Sequence, residues 1–230
     1  MYVMKPTPST QRRKASINHR ATKDELFGQV ARVAKALASP KRLELLSVLA
    51  QAPRAVEDLA QDAAISINLT SAHLKELRLA RLVDTERDGK RIVYRLAGPD
   101  VARACVSLRE LAEGRLTELQ SIIHALGDAG GEWRAEGRTA LLRKARLGEV
   151  ILLDVRPTFE YDHGHLPHAR SIPHTELKAR LAELPRDRLI VAYCRGPFCL
   201  FAVDAVQLMK SQGLDAVQLR EGIMEWKSAS

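Results

Sequence analysis

A chain of 230 residues, 46% hydrophobic and 28% charged, is long enough to bury two cores and has the composition of a soluble globular protein, which excludes fibrous and wholly disordered classes. No stretch reaches the length of a membrane span, the N-terminus lacks the apolar core of a signal peptide, and three cysteines are too few for a secreted disulfide scaffold, so no membrane partner and a cytoplasmic location are expected. The net charge of +8 lies wholly in the first half, where residues 1–98 hold 18 Lys or Arg against 10 Asp or Glu while residues 99–230 hold 18 of each; a basic half beside a neutral one points to a polyanion, most often nucleic acid.

Residues 1–22 carry Pro6, Pro8 and the cluster Arg12-Arg13-Lys14 with no acidic residue, and read as a basic disordered arm. From Asp24 to Leu37 the apolar positions Leu26, Phe27, Val30, Val33, Ala34 and Leu37 follow helical spacing. Ser39-Pro40 opens a second helix, with Pro at the first helical position. A third short helix is expected from about Arg54 to Asp62. Ser66 is an N-cap for a fourth, about Ile67 to Ala80, with Leu69, Leu74 and Leu77 on its buried side. Leu82 to Arg87 and Arg91 to Leu96, joined through Asp88-Gly89-Lys90, form a hairpin signal.

Short helices followed by a hairpin describe a mainly α winged helix-turn-helix with a β-hairpin wing. Its recognition helix enters the major groove, and the outward polar residues expected to meet bases are Asn68, Thr70, Ser71, His73 and Lys75. Arg87, Lys90 and Arg91 at the hairpin tip are placed to meet phosphates or the minor groove. From Asp100 to Leu126 a last helix carries an apolar seam of Val101, Cys105, Leu108, Leu111, Leu119, Ile122 and Leu126, suited to pairing with a second copy or to packing on its own domain.

Leu37-Ala38-Ser39-Pro40-Lys41-Arg42-Leu43-Glu44-Leu45-Leu46, Ser71-Ala72-His73-Leu74-Lys75-Glu76-Leu77-Arg78 and Gly89-Lys90-Arg91-Ile92-Val93-Tyr94 resemble the ArsR family of dimeric repressors. The resemblance covers about residues 24 to 126. It implies binding to double-stranded operator DNA as a homodimer through the first and last helices of a domain spanning 23–126, with release on sensing an inducer. The family's effector positions are poorly filled: Ala55-Val56-Glu57-Asp58-Leu59 has no cysteine where metal sensors carry theirs, Ala102 stands where a zinc ligand would, and of the thiol pair of other members only Cys105 is represented.

Gly127-Asp128-Ala129-Gly130-Gly131 reads as a flexible joint, giving a linker over 127–135 and a second domain over 136–230. A helix (Thr139 to Arg146), a buried strand (Val150 to Val155), a loop, the strand Leu189 to Tyr193 with a following helix, a short strand (Ala216 to Leu219) and a final turn describe an α/β domain with a largely parallel sheet. Sites in such sheets lie at the C-terminal ends of strands, where Cys194 stands. Placed before a helix N-terminus, its thiolate would be stabilised. A buried structural thiol, or half of a metal site with Cys199, remains an alternative at this level. His163, His165, His168 and His174 fall in a loop and, apart from Asp162, lack Asp or Cys partners at ligand spacing, so neither a metal nor another cofactor is expected.

Leu152-Leu153-Asp154-Val155-Arg156, Glu160-Tyr161, Gly164-His165-Leu166-Pro167, Tyr193-Cys194-Arg195-Gly196 and Glu221-Gly222-Ile223-Met224-Glu225-Trp226 resemble a single rhodanese domain, the sulfurtransferase fold. The resemblance implies that Cys194 takes up sulfane sulfur as a persulfide held by the loop around Arg195 and Gly196, with Asp154 and Arg156 bracing the fold. Counting five residues on from Cys194 reaches Leu200 and no arginine, which disfavours phosphatase or arsenate chemistry. Cys199 is a second thiol able to resolve a persulfide or sulfenate, or a small apolar filler.

The expected protein is a regulator, a repressor, that answers small sulfur species or redox state through Cys194. Two routes could carry the signal: sulfur transfer to Cys105, or docking of the rhodanese domain on the winged helices. The alternative is a sulfurtransferase enzyme whose winged helices serve to dimerise it or to bind a partner. A third reading is a sensor in which Cys194 and Cys199 simply form a disulfide.

Overall fold

The computed structural model describes residues 18–89, 91–133 and 137–228. Residues 1–17 of the expected basic arm, Lys90 at the hairpin tip and residues 134–136, where the expected linker meets the second domain, lie outside them. Residues 19–22, expected in the arm, instead form the first turn of a helix that starts at His19 and is capped by Asn18. No helix among the described residues is long and apolar enough to cross a membrane.

The first half consists of α1 (His19–Leu37), α2 (Pro40–Leu49), β1 (Arg54–Ala55), α3 (Val56–Asp62), α4 (Ile67–Leu79), β2 (Val83–Asp88), β3 (Arg91–Leu96) and α5 (Pro99–Arg115). The Asn18 side chain accepts the Ala21 N–H and the Ser66 side chain accepts that of Leu69, so the starts of α1 and α4 are closed by side chains. Pro40 occupies the first turn of α2, where its missing N–H costs nothing. Leu45, Leu46, Leu49, Leu59, Leu74, Leu77 and Val101 share one core.

Three sequence expectations change here. The third helix starts later, because Arg54 and Ala55 pair with Tyr94 and Val93 and make a third strand of the wing, in the order β1-β3-β2. On α4 the inward face is Thr70, Leu74 and Leu77, while Leu69 is exposed; the helix turns its 70-74-77 stripe to the core. The single last helix breaks at Leu116, which is extended (φ −107°, ψ 106°), and continues as α6 (Thr117–Gly130). Gln120 donates to the Glu113 carbonyl at 2.7 Å, satisfying an acceptor freed at the end of α5. Helix α6 then packs on α10 and β7 of the second half, while Ile122 of the expected seam stays exposed.

The second half adds α7 (Arg138–Leu147), β4 (Val150–Asp154), α8 (Thr158–His163), β5 (Arg170–Ser171), α9 (His174–Arg180) with a 3-10 turn (Leu181–Glu183), β6 (Leu189–Tyr193), α10 (Phe201–Ser211), β7 (Ala216–Gln218) and α11 (Ile223–Ser228). The sheet is parallel throughout, in the order β5-β4-β6-β7, with Asp154 of β4 in register with Tyr193 of β6. One core holds Leu153, Val155, Ile190, Ala202 and Val206 on one face, and a second holds Leu141, Leu152, Val191 and Ile223 on the other. The expected glycine joint is helical as far as Gly130, and the chain beyond it joins the sheet edge: Gln218 donates to Gly131 O at 2.9 Å and Trp133 donates to Gln218 O at 2.7 Å.

Candidate functional site

Strand β6 ends at Tyr193 and delivers Cys194 into the loop before α10. Cys194 is 2% exposed and belongs to the core beneath α10. Cys199, at the loop's other end, is half-buried, and the two are joined as a disulfide with their Cα atoms 6.2 Å apart. The Cys199 N–H donates to Gly196 O at 3.0 Å, closing the loop on itself.

Two glycines let a second stretch press against this loop. Gly196 has φ +135°, and a Cβ there would meet both carboxylate oxygens of Glu225 at 3.1 and 3.2 Å. A Cβ on Gly222 would stand 2.6 Å from the Arg195 carbonyl carbon. Glu225 accepts the Gly222 N–H at 2.7 Å and is ion-paired with Arg109 of α5, and Arg220 reaches Glu113 of the same helix at 2.7 Å. The segment around Gly222 thus clamps the cysteine loop and grips the helix that follows the wing.

On the loop's other side lies a buried cluster of three guanidinium groups and three carboxylates. Arg195 donates to Glu160 at 2.6 and 3.0 Å and to Asp62, the last residue of α3, at 3.3 Å. Arg54 of β1 is ion-paired with both Asp62 and Glu160. Arg156 is held by Asp154 at 2.6 and 3.0 Å and extends to the Gln51 side-chain oxygen at 3.0 Å. Gln51, just past α2, also donates to the Arg195 carbonyl at 3.5 Å.

Glu160, Asp154 and Arg156 are fully enclosed. Burial pushes the Arg54 guanidinium below its ordinary value despite the pull of Asp62 and Glu160. For Arg195 burial acts in the same direction, but hydrogen bonds and charge from Glu160, then Asp62, outweigh it and hold the group above its ordinary value. Asp154 does the same for Arg156. Such a cluster tolerates burial because each charge is paired, and removal of one member leaves another uncompensated.

The residues expected to meet DNA are distributed unevenly. Asn68, Ser71 and Lys75 are exposed on α4, and His73 is half-buried. Thr70 is a correction: it is fully buried and its hydroxyl donates to Ser66 O at 3.0 Å, because position 70 falls on the core stripe. Arg87 is exposed and donates to Gly89 O at 3.1 Å, and Arg91, also exposed, lies 3.6 Å from Asp58 of α3.

Cys105 on α5 packs against the winged-helix core, whereas Cys194 belongs to the core of the other half, and the structure does not bring them together. Burial pushes the Cys105 thiol up to about 11, which keeps it protonated and a poor nucleophile. Asp154 and Arg156 brace the fold as expected, but Arg156 also reaches across to Gln51. Sequence reasoning missed Gln51, Arg54, Asp62, Arg109 and Glu113. Each is an ordinary charged or polar residue in its own segment, and its partner lies in the other half of the chain.

Comparison with known proteins matches residues 39–85 to the family model "Bacterial regulatory protein, arsR family" and residues 138–229 to the "Rhodanese-like domain" model. The chain is 44% identical over 207 residues to the HTH-type transcriptional regulator Rv0324 of Mycobacterium tuberculosis, covering 90% of this chain and 91% of that one. It is also 32% identical over 84 residues to a sulfurtransferase of Allochromatium vinosum, covering 36% of this chain and 78% of that protein. Among solved structures, the homodimeric winged helix-turn-helix DNA-binding domain of Mb0332 from Mycobacterium bovis is 44% identical, covers 41% of this chain and 87% of that one, and has a TM-score of 0.39.

Proposed function

Because the chain belongs to the ArsR family of helix-turn-helix transcriptional regulators and carries a rhodanese-like domain behind its winged helices, we propose that it is a cytoplasmic repressor whose affinity for operator DNA is set by the sulfur chemistry of Cys194 and Cys199. A homodimer presents two copies of α4 to successive major grooves, with Asn68, Ser71, His73 and Lys75 toward bases and Arg87, Lys90 and Arg91 toward the backbone. Dimerisation is supported by the apolar stripe Leu26, Phe27 and Val30 of α1, all exposed, together with exposed Leu108 and Leu111 of α5.

The inducer is a small sulfane-sulfur species. Cys194 thiolate takes a sulfur atom from a hydropolysulfide or alkyl persulfide, releasing the donor's remaining thiol, and becomes a persulfide. The Cys199 thiolate then attacks the inner sulfur, the Cys194–Cys199 bond forms, and hydrosulfide leaves with the electron pair. The donor is reduced and the cysteine pair oxidised.

The observation that carries the reading is the position of Arg195. It follows Cys194 directly, and its guanidinium is held by Glu160 and by Asp62 of α3, next to the turn that leads into α4. A loop that changes covalent state at Cys194 therefore pulls on an ion pair shared with the DNA-binding half. This favours signalling by docking of the two halves over sulfur transfer to Cys105. The test is a gel shift on the DNA upstream of the gene with reduced and polysulfide-treated protein, wild type and Cys194→Ser. A treatment-dependent shift in the wild type that Cys194→Ser loses is expected; an equal response in both proteins refutes the reading.

A further inference from the structure

The Cys194–Cys199 disulfide joins a buried residue to a half-buried one. Cys194 is 2% exposed in a core with Ile190, Ala202 and Val206, whereas Cys199, packed against the edge of the same core, is half-buried. Thiol–disulfide exchange proceeds by attack of a thiolate on one sulfur, so access selects Cys199. A regulator that is oxidised at this pair must be reduced to respond again, and the approach to Cys199 has a distinct chemistry.

Phe198 and Leu200, the residues on either side of Cys199, are 55% and 50% exposed, and Phe201 follows at 38%. Phe201 stacks on His174 at 5.2 Å and lies under Arg195 at 5.9 Å, and Phe159, 46% exposed, lies under Arg54 at 4.3 Å, both arginines sharing Glu160. Among the described residues of the second half, Leu147 is the one other large apolar side chain exposed in this way. Large apolar side chains gathered in water mark a contact surface. A small thiol reductant gains nothing from such a rim. A protein that must seat its own sulfur on Cys199 does.

We propose that the face formed by Phe198, Leu200 and Phe201 docks a protein dithiol, which reduces the disulfide by attack on Cys199. One partner thiolate forms a bond to the Cys199 sulfur, the bond to Cys194 breaks, and the electron pair leaves on Cys194, which lies before the positive end of α10. The partner's second thiolate then attacks the partner sulfur in the mixed disulfide. Cys199 leaves as a thiolate and takes up a proton, one disulfide having been reduced and one dithiol oxidised. The inference rests on the redox-active pair of the proposed function but not on its effect upon DNA.

The experiment uses the full chain in its oxidised form and two reductants, thioredoxin as the protein dithiol and dithiothreitol as the small one, with free thiols counted by mass after alkylation. Replacing Phe198 and Leu200 together by serine is expected to slow reduction by thioredoxin about tenfold while the dithiothreitol rate stays within about twofold. Thioredoxin with its second cysteine replaced by serine is expected to trap a mixed disulfide that peptide mass mapping places on Cys199. A trapped bond to Cys194, an unchanged thioredoxin rate, or an equal fall with both reductants overturns the proposal. So does loss of self-association in the double variant by sedimentation, which would assign the face to a second copy of the chain. No DNA is present in the assay, so failure of the gel-shift test and failure of this one are separate results.

Discussion

Arg195 Nη2 stands 3.3 Å from Asp62 Oδ1, joining the residue after Cys194 to the end of a helix 133 positions earlier in the chain. The contact is one member of a balanced cluster: Arg54, Arg156 and Arg195 face Asp62, Asp154 and Glu160, with Gln51 bridging Arg156 and the Arg195 carbonyl. Interfaces between domains are commonly loose, and a buried charged network makes this one specific in orientation.

Glu160→Gln removes the carboxylate that Arg54 and Arg195 share and leaves two guanidinium groups without it. Stability is expected to fall by about 3–5 kcal/mol. Urea denaturation followed by far-ultraviolet dichroism should change from one transition to two, because the two cores are then held together less strongly. A single transition of unchanged midpoint would show that the cluster does not couple the halves.

Gly222→Ala places a methyl group 2.6 Å from the Arg195 carbonyl carbon, in backbone that cannot yield as a side-chain tip does. The expected loss is about 1–3 kcal/mol from overpacking, and the variant's oxidised form should bind operator DNA like neither the oxidised nor the reduced wild type. Thermal unfolding and gel shifts measure the two effects separately.

Residues on α4 should divide by face. Asn68→Ala is expected to weaken operator binding by about 1–3 kcal/mol and to relax preference at one base. Lys75→Ala should weaken binding to all sequences and lower the salt slope by about one. Thr70→Val, at a position whose hydroxyl only closes onto Ser66, should leave affinity within about twofold and alter stability by about 1 kcal/mol. Fluorescence anisotropy across a salt series checks all three.

Phe27→Glu puts a charge on the exposed stripe of α1, where Phe27 is 64% and Val30 67% exposed. If the stripe forms the proposed dimer, sedimentation velocity should find the variant monomeric at concentrations where the wild type associates, with operator binding lost in parallel.

Cys105 should be slow to alkylate. With its thiol pushed up to about 11 from the ordinary 9.0 by burial, the iodoacetamide rate is expected to climb about tenfold per pH unit from 8 to 10 without levelling. The sign for stability is fixed by the same shift. The folded state favours the protonated thiol, so this contribution is complete below about pH 9 and is lost as pH rises through about 11. Cys194→Ser/Cys199→Ser protein isolates the measurement, and a plateau near pH 9 would refute it.

What the sequence determined is local. Caps at Ser66, Pro40 at a helix start, Asp88-Gly89 at a hairpin and the apolar runs Val150–Asp154 and Leu189–Tyr193 each act over a few residues, so the winged helices, the parallel sheet and the site of Cys194 were all legible. The short elements α8, β5 and α9 were not, because two to seven residues carry too little periodicity to stand out from a loop. Thr70 and Leu69 exchanged faces because adjacent positions on a helix differ by about 100° in direction, and spacing fixes a stripe only to within that angle. Tertiary structure alone decided that the last helix breaks at Leu116 to lay α6 on α10, and that Gln51, Arg54 and Asp62 meet Arg156, Glu160 and Arg195. Buried charges are tolerated only in pairs, and which charges pair depends on how the two cores dock.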